Sequence, residues 1–440
     1  MSIAALTAFL FICLFVGLLA GQAVAFVLGG VGACFALSLW GFEGLYTIVT
    51  RTWEGMNYFI LVAIPLFIFM ANILERAGVA DDLYRAMHCW AGPLKGGLAM
   101  GTVVICTIFA AMSGISGPAT VTMGLIALPA MLKRGYNTTV AIGSIQAGGA
   151  LGILIPPSIT FIIFALFTET SVGRLFIGGI LPGLLLSTLF ITYIAIRCLI
   201  QPAAGPALPP EERATWREKL VSTRAIILPA IIVIMVLGSI FSGFATPTEA
   251  AAMGVLGALI SAVVYRRLNW NMFWEACIRT LRLTAMIMWI FFGAMTFTAV
   301  YQAIGAQDLV REIFLALPGG RWGPIIVMQL SFFFLGCFLD TSPIIMITAP
   351  IYIPLVTALG FDLTWFGVIF VMNMEMAYLT PPFGFNLFYM RAVAPPGIHM
   401  GHIYRSIIPF ILLQGTGLII VMIFPQIALT LPNLVFGKIG

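Results

Sequence analysis

Long apolar runs separated by short polar connections make up nearly the whole chain, and many approach the ~20 residues that an α-helix needs to cross a bilayer. They predict spanning helices near 3–20, 22–40, 55–75, 176–199, 225–242, 247–265, 283–303 and 406–425. Two amphipathic stretches, 78–93 and 270–281, are predicted to be arms along the membrane interface. The runs do not alternate apolar with polar residues, which excludes a membrane β-barrel.

Each half of the chain also contains an apolar segment that is predicted to enter the membrane and return on the same side. These hairpins cover 95–134 and 322–359, and each is followed by a helix that is interrupted at a double proline, over 138–168 and 362–390. The one long polar connection, 201–224, contains four prolines and a mixed-charge run. It divides the chain into a first repeat, 1–200, and a second repeat, 225–440.

The two halves share their glycine and proline positions at a constant separation of 225 residues. The matched positions are Pro118 and Pro343, Pro129 and Pro354, Gly135 and Gly360, Tyr136 and Phe361, and Pro156-Pro157 and Pro381-Pro382. Internal repeats with such breaks at corresponding places are the best sequence pointer to the binding site of a transporter. We therefore predict an all-α polytopic membrane protein built from two repeats.

The composition of the chain agrees with a membrane protein, and the distribution of its charges predicts its orientation. The 440 residues are 61% hydrophobic and 8% charged. The net charge of +5 is therefore interpreted as a signal of orientation in the membrane rather than as a surface that binds nucleic acid. With 201–224 in the cytoplasm, sixteen of the 21 Lys and Arg residues fall on that side. The positive-inside rule then makes the repeats inverted copies and places both termini outside. If each hairpin instead crossed the membrane twice, the count of Lys and Arg residues on each side would be the same.

Re-entrance is inferred from the hairpin tips, 113–120 and 339–343, where Gly, Ser and Pro end a helix inside an apolar segment. Pro118 and Pro343 suit the first position of the helix that follows. Non-helical backbone at membrane depth must be covered by protein or by a water-filled cavity. Each tip is therefore expected to meet the break of the helix after it, at 152–158 and 377–383.

The double prolines should leave free carbonyl groups at each break, because proline lacks an amide and blocks the carbonyl four residues earlier. Such carbonyls and the tip hydroxyls form a set of hard oxygen ligands suited to Na⁺. The amide ends of the helices at Pro118 and Pro343 offer partial positive charge to an anion. A simple proline kink is the alternative at either break.

Few ionisable groups lie at membrane depth. Asp340 and Glu375 are candidate functional groups, although Asp340 could be a polar helix start and Glu375 could face a cavity or another helix. No Lys or Arg lies near a tip or break, so an anionic substrate would meet helix ends, hydroxyls and amides. The predicted substrate contacts are Ser116, Thr120, Ser158, Thr341, Ser342, Asn373 and Asn386.

Two polar features are interpreted as structural. Thr246, Pro247 and Glu249 predict a capping box at a helix start, and Asn72 predicts an interhelical hydrogen bond. The sequence has no metalloprotease, nucleophile-elbow or P-loop motif, so it gives no indication of an enzyme or of ATP hydrolysis. Uphill transport would therefore draw on an ion gradient.

Five segments in order resemble the large membrane subunit of TRAP (tripartite ATP-independent periplasmic) transporters, of the DctM type. They are 64–70, 113–114, 119–120, 155–158 and 246–250, and the resemblance covers essentially the full length. It implies a Na⁺-driven symporter for carboxylates or other small organic anions in the bacterial inner membrane. It also implies an elevator mechanism and two partners, a four-helix small membrane subunit and a periplasmic substrate-binding protein.

The resemblance further implies two sodium sites where a tip meets a break. The first carries over onto Ser113, Gly152, Ile155 and Pro157, and the second, by the separation of 225, onto Asp340, Ala377, Thr380 and Pro382. A binding-protein-independent Na⁺/dicarboxylate carrier of similar architecture is the alternative transporter. A membrane subunit of a sodium-pumping decarboxylase is the alternative from another class.

Overall fold

The computed structural model describes residues 2–382 and 384–437, so Phe383 of the second break and Lys438 of the charge count lie outside the described residues. Within those ranges the secondary structure is helical, without strands. The helices are α1 (Ile3–Leu19), α2 (Val24–Met56), α3 (Ala63–Arg76), α4 (Val79–Ala91), α5 (Gly97–Ser113), α6 (Ser116–Lys133), α7 (Thr138–Ala150), α8 (Ile159–Thr168), α9 (Val172–Ile200), α10 (Trp216–Ser222), α11 (Arg224–Phe241), α12 (Pro247–Val264), α13 (Trp270–Ala303), α14 (Ala306–Leu315), α15 (Trp322–Gly336), α16 (Thr341–Ala358), α17 (Leu363–Tyr378), α18 (Phe385–Val393), α19 (Met400–Ile423) and α20 (Gln426–Phe436).

The fold is that of a multi-pass membrane protein. Among the described residues, eight helices are long and apolar enough to cross a bilayer. Large apolar side chains on these helices, such as Phe26, Ile234 and Leu412, point outward and are more than half exposed. A surface of this kind is stable in contact with lipid rather than with water.

Two predicted boundaries are wrong in the structure. The helix predicted over 22–40 continues to Met56 as α2, with a kink at Gly41, whose φ of 65° is outside the helical range. The arm predicted over 270–281 and the span over 283–303 form the single helix α13. No Gly or Pro occurs between Trp270 and Phe292, so nothing in the backbone interrupts that helix where it meets the membrane.

The two halves repeat the same order of elements. A hairpin, α5–α6 or α15–α16, precedes a helix in two pieces, α7–α8 or α17–α18. Pro118 and Pro343 both occupy the third position of their helices rather than the predicted first, because α6 begins at Ser116 and α16 at Thr341. The two halves still correspond, since each proline lies two positions later in its helix than predicted.

Helices outside the hairpins pack on one another as a frame. α13 packs along α2, and α12 packs along α3. Asn72 on α3 donates a hydrogen bond to the Oγ1 of Thr280 on α13 over 3.1 Å, which confirms the predicted interhelical bond. The capping box of Thr246 and Glu249 at the start of α12 is also confirmed.

The linker is held against the first hairpin. The amide of Gly96 donates to the carbonyl of Gly205, and the amide of Asn137 donates to the carbonyl of Ala204. The guanidinium group of Arg134 lies 2.7 Å from the carboxylate of Glu212. Both ends of the hairpin are therefore fixed to one polar segment, on one side of the molecule.

Candidate functional site

The first tip rests directly on the first break. Gly114 ends α5 with a φ of 67°, a left-handed conformation that favours glycine. Its carbonyl accepts a hydrogen bond of 3.3 Å from the amide of Ile159, at the start of α8. A Cβ atom added at Gly114 would lie 2.5 Å from the carbonyl oxygen of Pro157. The absence of a side chain at Gly114 is thus what allows the two backbones to meet.

The tip and the break are equally close at a second point. α7 ends in the 3-10 turn Leu151–Ile153, and a Cβ atom at Gly152 would lie 2.5 Å from the carbonyl oxygen of Ile115. The hydroxyl of Ser113 donates to that same carbonyl over 3.1 Å. The predicted first-site residues Ser113, Gly152 and Pro157 are therefore brought together in one junction.

The first break carries main-chain oxygens without hydrogen-bond donors. Gly152, Ile155 and Pro157 are buried, and no described residue donates a hydrogen bond to their carbonyl groups. Buried carbonyls nearly always have a partner, so three unpaired ones in six residues mark a place where the backbone can accept a cation. Proline explains the free carbonyl of Gly152, because Pro156 lacks the amide that would donate to it in a continuing helix.

Two of the predicted substrate residues of the first repeat, Ser158 and Thr120, have local partners for their hydroxyls. Ser158 caps α8, donating to the carbonyl of Ile153 and accepting from the amide of Phe161. Thr120 is buried and donates to the carbonyl of Ser116, the first residue of α6. The hydroxyl of Thr120 faces α7, where a Cβ atom at Gly149 would lie 2.1 Å from it.

The second tip meets its break through side chains. Asp340 is the N-cap of α16, and its carboxylate accepts a hydrogen bond from the hydroxyl of Tyr378, at the end of α17. The same hydroxyl lies 3.2 Å from the Oγ1 of Thr341. Ser342 is buried in the next position. Tyr378 was not predicted as a site residue from the sequence, although a tyrosine hydroxyl inside an apolar break indicates a polar contact.

In the second break, two of the carbonyls among the described residues have hydrogen-bond donors. Its two prolines, like those of the first break, are joined by a cis peptide bond. The carbonyl of Ala377 accepts a 3.0 Å hydrogen bond from the amide of Thr380, whose hydroxyl donates to the carbonyl of Met376 over 2.7 Å. No described residue donates to the carbonyl of Pro382. The charged group at this junction is the carboxylate of Asp340.

Two amides connect the second broken helix to other elements. Asn373 donates to the carbonyl and to the side-chain oxygen of Gln329 on α15, over 2.6 and 2.8 Å. Asn386 donates to the carbonyl of Gln146 on α7, over 3.3 Å, and so joins the two repeats. Sequence reasoning missed Gln146, which gave no signal because it is a single amide among small and apolar residues.

Several buried oxygens near these amides have no donor in the described part of the chain. They are Oδ1 of Asn373, Oδ1 of Asn386, Oε1 of Gln146 and both carboxylate oxygens of Glu375. Glu375 is 0% exposed, so it faces other helices rather than an open cavity. A buried carboxyl group needs a proton or a bound cation to balance its charge.

The oxygen atoms at the two junctions are of the kind that bind alkali cations. They belong to carbonyl groups, hydroxyls and one carboxylate, which are hard donors. Within residues 2–382 and 384–437, no group of three His, Cys, Asp or Glu residues could hold a metal ion. The breaks therefore fit a weakly held cation better than a transition metal.

Two broken helices, each in contact with a hairpin tip in a multi-pass helical chain, define a membrane transporter. The chain belongs to the family of the tripartite ATP-independent periplasmic transporter, DctM component, whose model matches residues 11–427. The resemblance seen in the sequence motifs is thereby confirmed. Its relatives are named as permease subunits, so the chain is a transporter subunit and not an enzyme.

Two relatives show how substrate names vary within the family. The C4-dicarboxylate TRAP transporter large permease protein DctM of Pseudomonas aeruginosa is 36% identical, over 92% of this chain and 93% of its own. The ectoine/5-hydroxyectoine TRAP transporter large permease protein UehC of Ruegeria pomeroyi is 33% identical, over 89% of this chain and 90% of its own.

A solved structure shares the fold. The YdaH transporter of Alcanivorax borkumensis superposes with a TM-score of 0.60, covering 90% of this chain and 89% of its own, at 17% sequence identity. At that identity the likeness concerns architecture alone.

Proposed function

We propose that the chain is the translocating subunit of a Na⁺-coupled symporter that imports a small organic anion, such as a carboxylate. The observation that carries the proposal is the first junction, where a break with buried carbonyls without donors is in contact with the tip of a hairpin. Na⁺ binds there to Ser113, Gly152, Ile155 and Pro157. A second Na⁺ binds to Asp340, Ala377, Thr380 and Pro382, and Tyr378 orients the carboxylate.

The substrate lies between the two junctions, in contact with the starts of α6 and α16. The amide ends of those helices and the hydroxyls of Ser116, Thr120, Thr341 and Ser342 are the groups that meet its negative charge, with Ser158, Asn373 and Asn386 as further contacts. Because no Lys or Arg lies at either junction, the bound Na⁺ ions offset the charge of the anion. Substrate and cation binding are therefore coupled.

Transport proceeds by an elevator motion, in which the hairpins and broken helices move as one body against the frame of α2, α3, α12 and α13. A periplasmic binding protein delivers the substrate, and a small four-helix membrane subunit completes the transporter. The chain resides in the bacterial inner membrane with both termini in the periplasm. The relatives' names differ in substrate at similar identity, which fits selection by the binding protein rather than by the membrane cavity.

Uptake into proteoliposomes tests the proposal. The purified permease, with its small subunit and cognate binding protein, should accumulate substrate only under an inward Na⁺ gradient. Accumulation driven equally by K⁺ would refute the coupling. Accumulation without any binding protein would favour the alternative, a binding-protein-independent Na⁺/dicarboxylate symporter.

A further inference from the structure

An open groove of about 1020 Å³ lies where α4, α10, the beginning of α11 and the end of α12 meet. Its lining combines the arginines Arg85, Arg217 and Arg224 with aliphatic side chains. We infer that this groove binds an anionic phospholipid. The arginines hold the phosphate of the headgroup, and an acyl chain lies along α11. None of the proposed transport residues lines the groove.

Two of the three arginines in the groove lack an acidic partner, although Asp82 and Glu218 also line it. Neither Arg217 nor Arg224 has an ion-pair or hydrogen-bond partner for its side chain among the described residues. Arg85 pairs with Asp82 over 2.9 Å, but its side chain is 73% exposed and can reach a second anion. The carboxylate of Glu218 is held by its own helix cap. Guanidinium groups in this setting are strong ligands for phosphate.

Aromatic side chains beside the groove place it at the level of lipid headgroups. Trp90 and Trp216 pack edge to face, and the ammonium group of Lys219 lies 5.9 and 5.0 Å from their rings. Trp216 remains 71% exposed. Tryptophan and lysine concentrate at the boundary between the acyl chains and water, where one end of the side chain is apolar and the other is polar.

An aliphatic stripe runs from the groove along α11. Ile227, Ile231 and Ile234 follow one another at helical spacing and are 52%, 53% and 69% exposed. Ile227 itself lines the groove, together with Val221 and Val264. A free phosphate ion would use only the arginines, whereas a phospholipid uses the arginines and the stripe together. The continuity of charge and aliphatic surface therefore favours a lipid.

Lipid retention tests the inference on the full chain. The protein, purified with its small subunit, is equilibrated with mixed vesicles of phosphatidylcholine and phosphatidylglycerol, extracted, and analysed by native mass spectrometry. Wild-type protein should retain phosphatidylglycerol in preference to phosphatidylcholine. Arg217→Gln/Arg224→Gln should reduce that preference severalfold, whereas Arg311→Gln/Arg321→Gln, outside the groove, should keep it. Melting temperatures confirm that both variants are folded.

Three outcomes would overturn the inference. The first is equal retention of the two lipids, or equal loss in both double variants. The second is displacement of phosphatidylglycerol by millimolar inorganic phosphate, which would mean a site for free anions. The third is cross-linking of a photoreactive residue at Ile231 to the small subunit instead of to lipid, which would mean that a protein covers this face. None of these results depends on Na⁺ coupling.

Discussion

The hydroxyl of Tyr378 donates a hydrogen bond to the carboxylate of Asp340 and so fixes the second hairpin tip to the second break. One residue ends a half-helix, and the other caps the helix that follows the tip. Thr341 and Ser342, the first two residues of α16, also hydrogen-bond to this carboxylate. In the proposed mechanism Tyr378 therefore positions Asp340 for the second Na⁺.

Removing that hydroxyl should weaken Na⁺ binding without unfolding the protein. Hydrogen bonds to charged groups contribute about 1.5–3 kcal/mol, so Tyr378→Phe should raise the Na⁺ concentration for half-maximal uptake by roughly ten- to a hundredfold. Tyr352→Phe is the matched control, because its hydroxyl bonds to Ser331 within the second hairpin, over 2.9 Å. An equal effect of both variants would mean that the hydroxyl has a general packing role.

The first junction should not tolerate a side chain. A methyl group at Gly152 would collide with the carbonyl of Ile115, so Gly152→Ala should force the tip away from the break. Overpacking of this kind costs about 1–3 kcal/mol, which would lower the melting temperature and the stabilisation by Na⁺. Gly30→Ala is the control, since nothing lies within 4 Å of its added Cβ atom. Unchanged melting of Gly152→Ala would show that the tip can move freely.

Pro157 should matter more for transport than for folding. Pro157→Ala restores an amide at the break, which allows the backbone that carries the carbonyls we assign to Na⁺ to become more helical. Transport rate should therefore fall further than the yield of folded protein, measured by size-exclusion chromatography. Losses in equal proportion would indicate a simple proline kink.

The inverted topology predicts opposite accessibility for two exposed positions. Single cysteines at Glu211, in the linker, and at Ala316, after α14, should react from opposite sides of the membrane with an impermeant maleimide. Glu211 is chosen because its neighbour Glu212 pairs with Arg134. Reaction of both cysteines from one side would overturn the orientation.

The sequence was most informative where structure is decided locally. Pro156-Pro157 and Pro381-Pro382 marked both breaks, because a missing amide interrupts a helix whatever surrounds it. The roles of Thr246 and Asn72 were predicted correctly for the same reason, since a capping motif and a single amide in an apolar helix each have few alternative roles.

The partners in contacts between distant segments could not be predicted. Asn386 and Gln146 are 240 residues apart, and their hydrogen bond depends on how the two repeats pack. The direction of the Tyr378 hydroxyl depends on the position of the second tip. The helices α14 and α20, of 10 and 11 residues, were also missed because they are too short for a spanning pattern.

Equilibrium binding of radioactive Na⁺ to the purified chain, without substrate or binding protein, tests the central claim most directly. Saturable binding is expected in the wild type, and Asp340→Asn/Thr380→Ala should lose the part that belongs to the second junction. Arg311→Gln should bind like the wild type. No saturable binding in the wild type, or undiminished binding in the double variant, would contradict the assignment of cation sites to the junctions of tip and break.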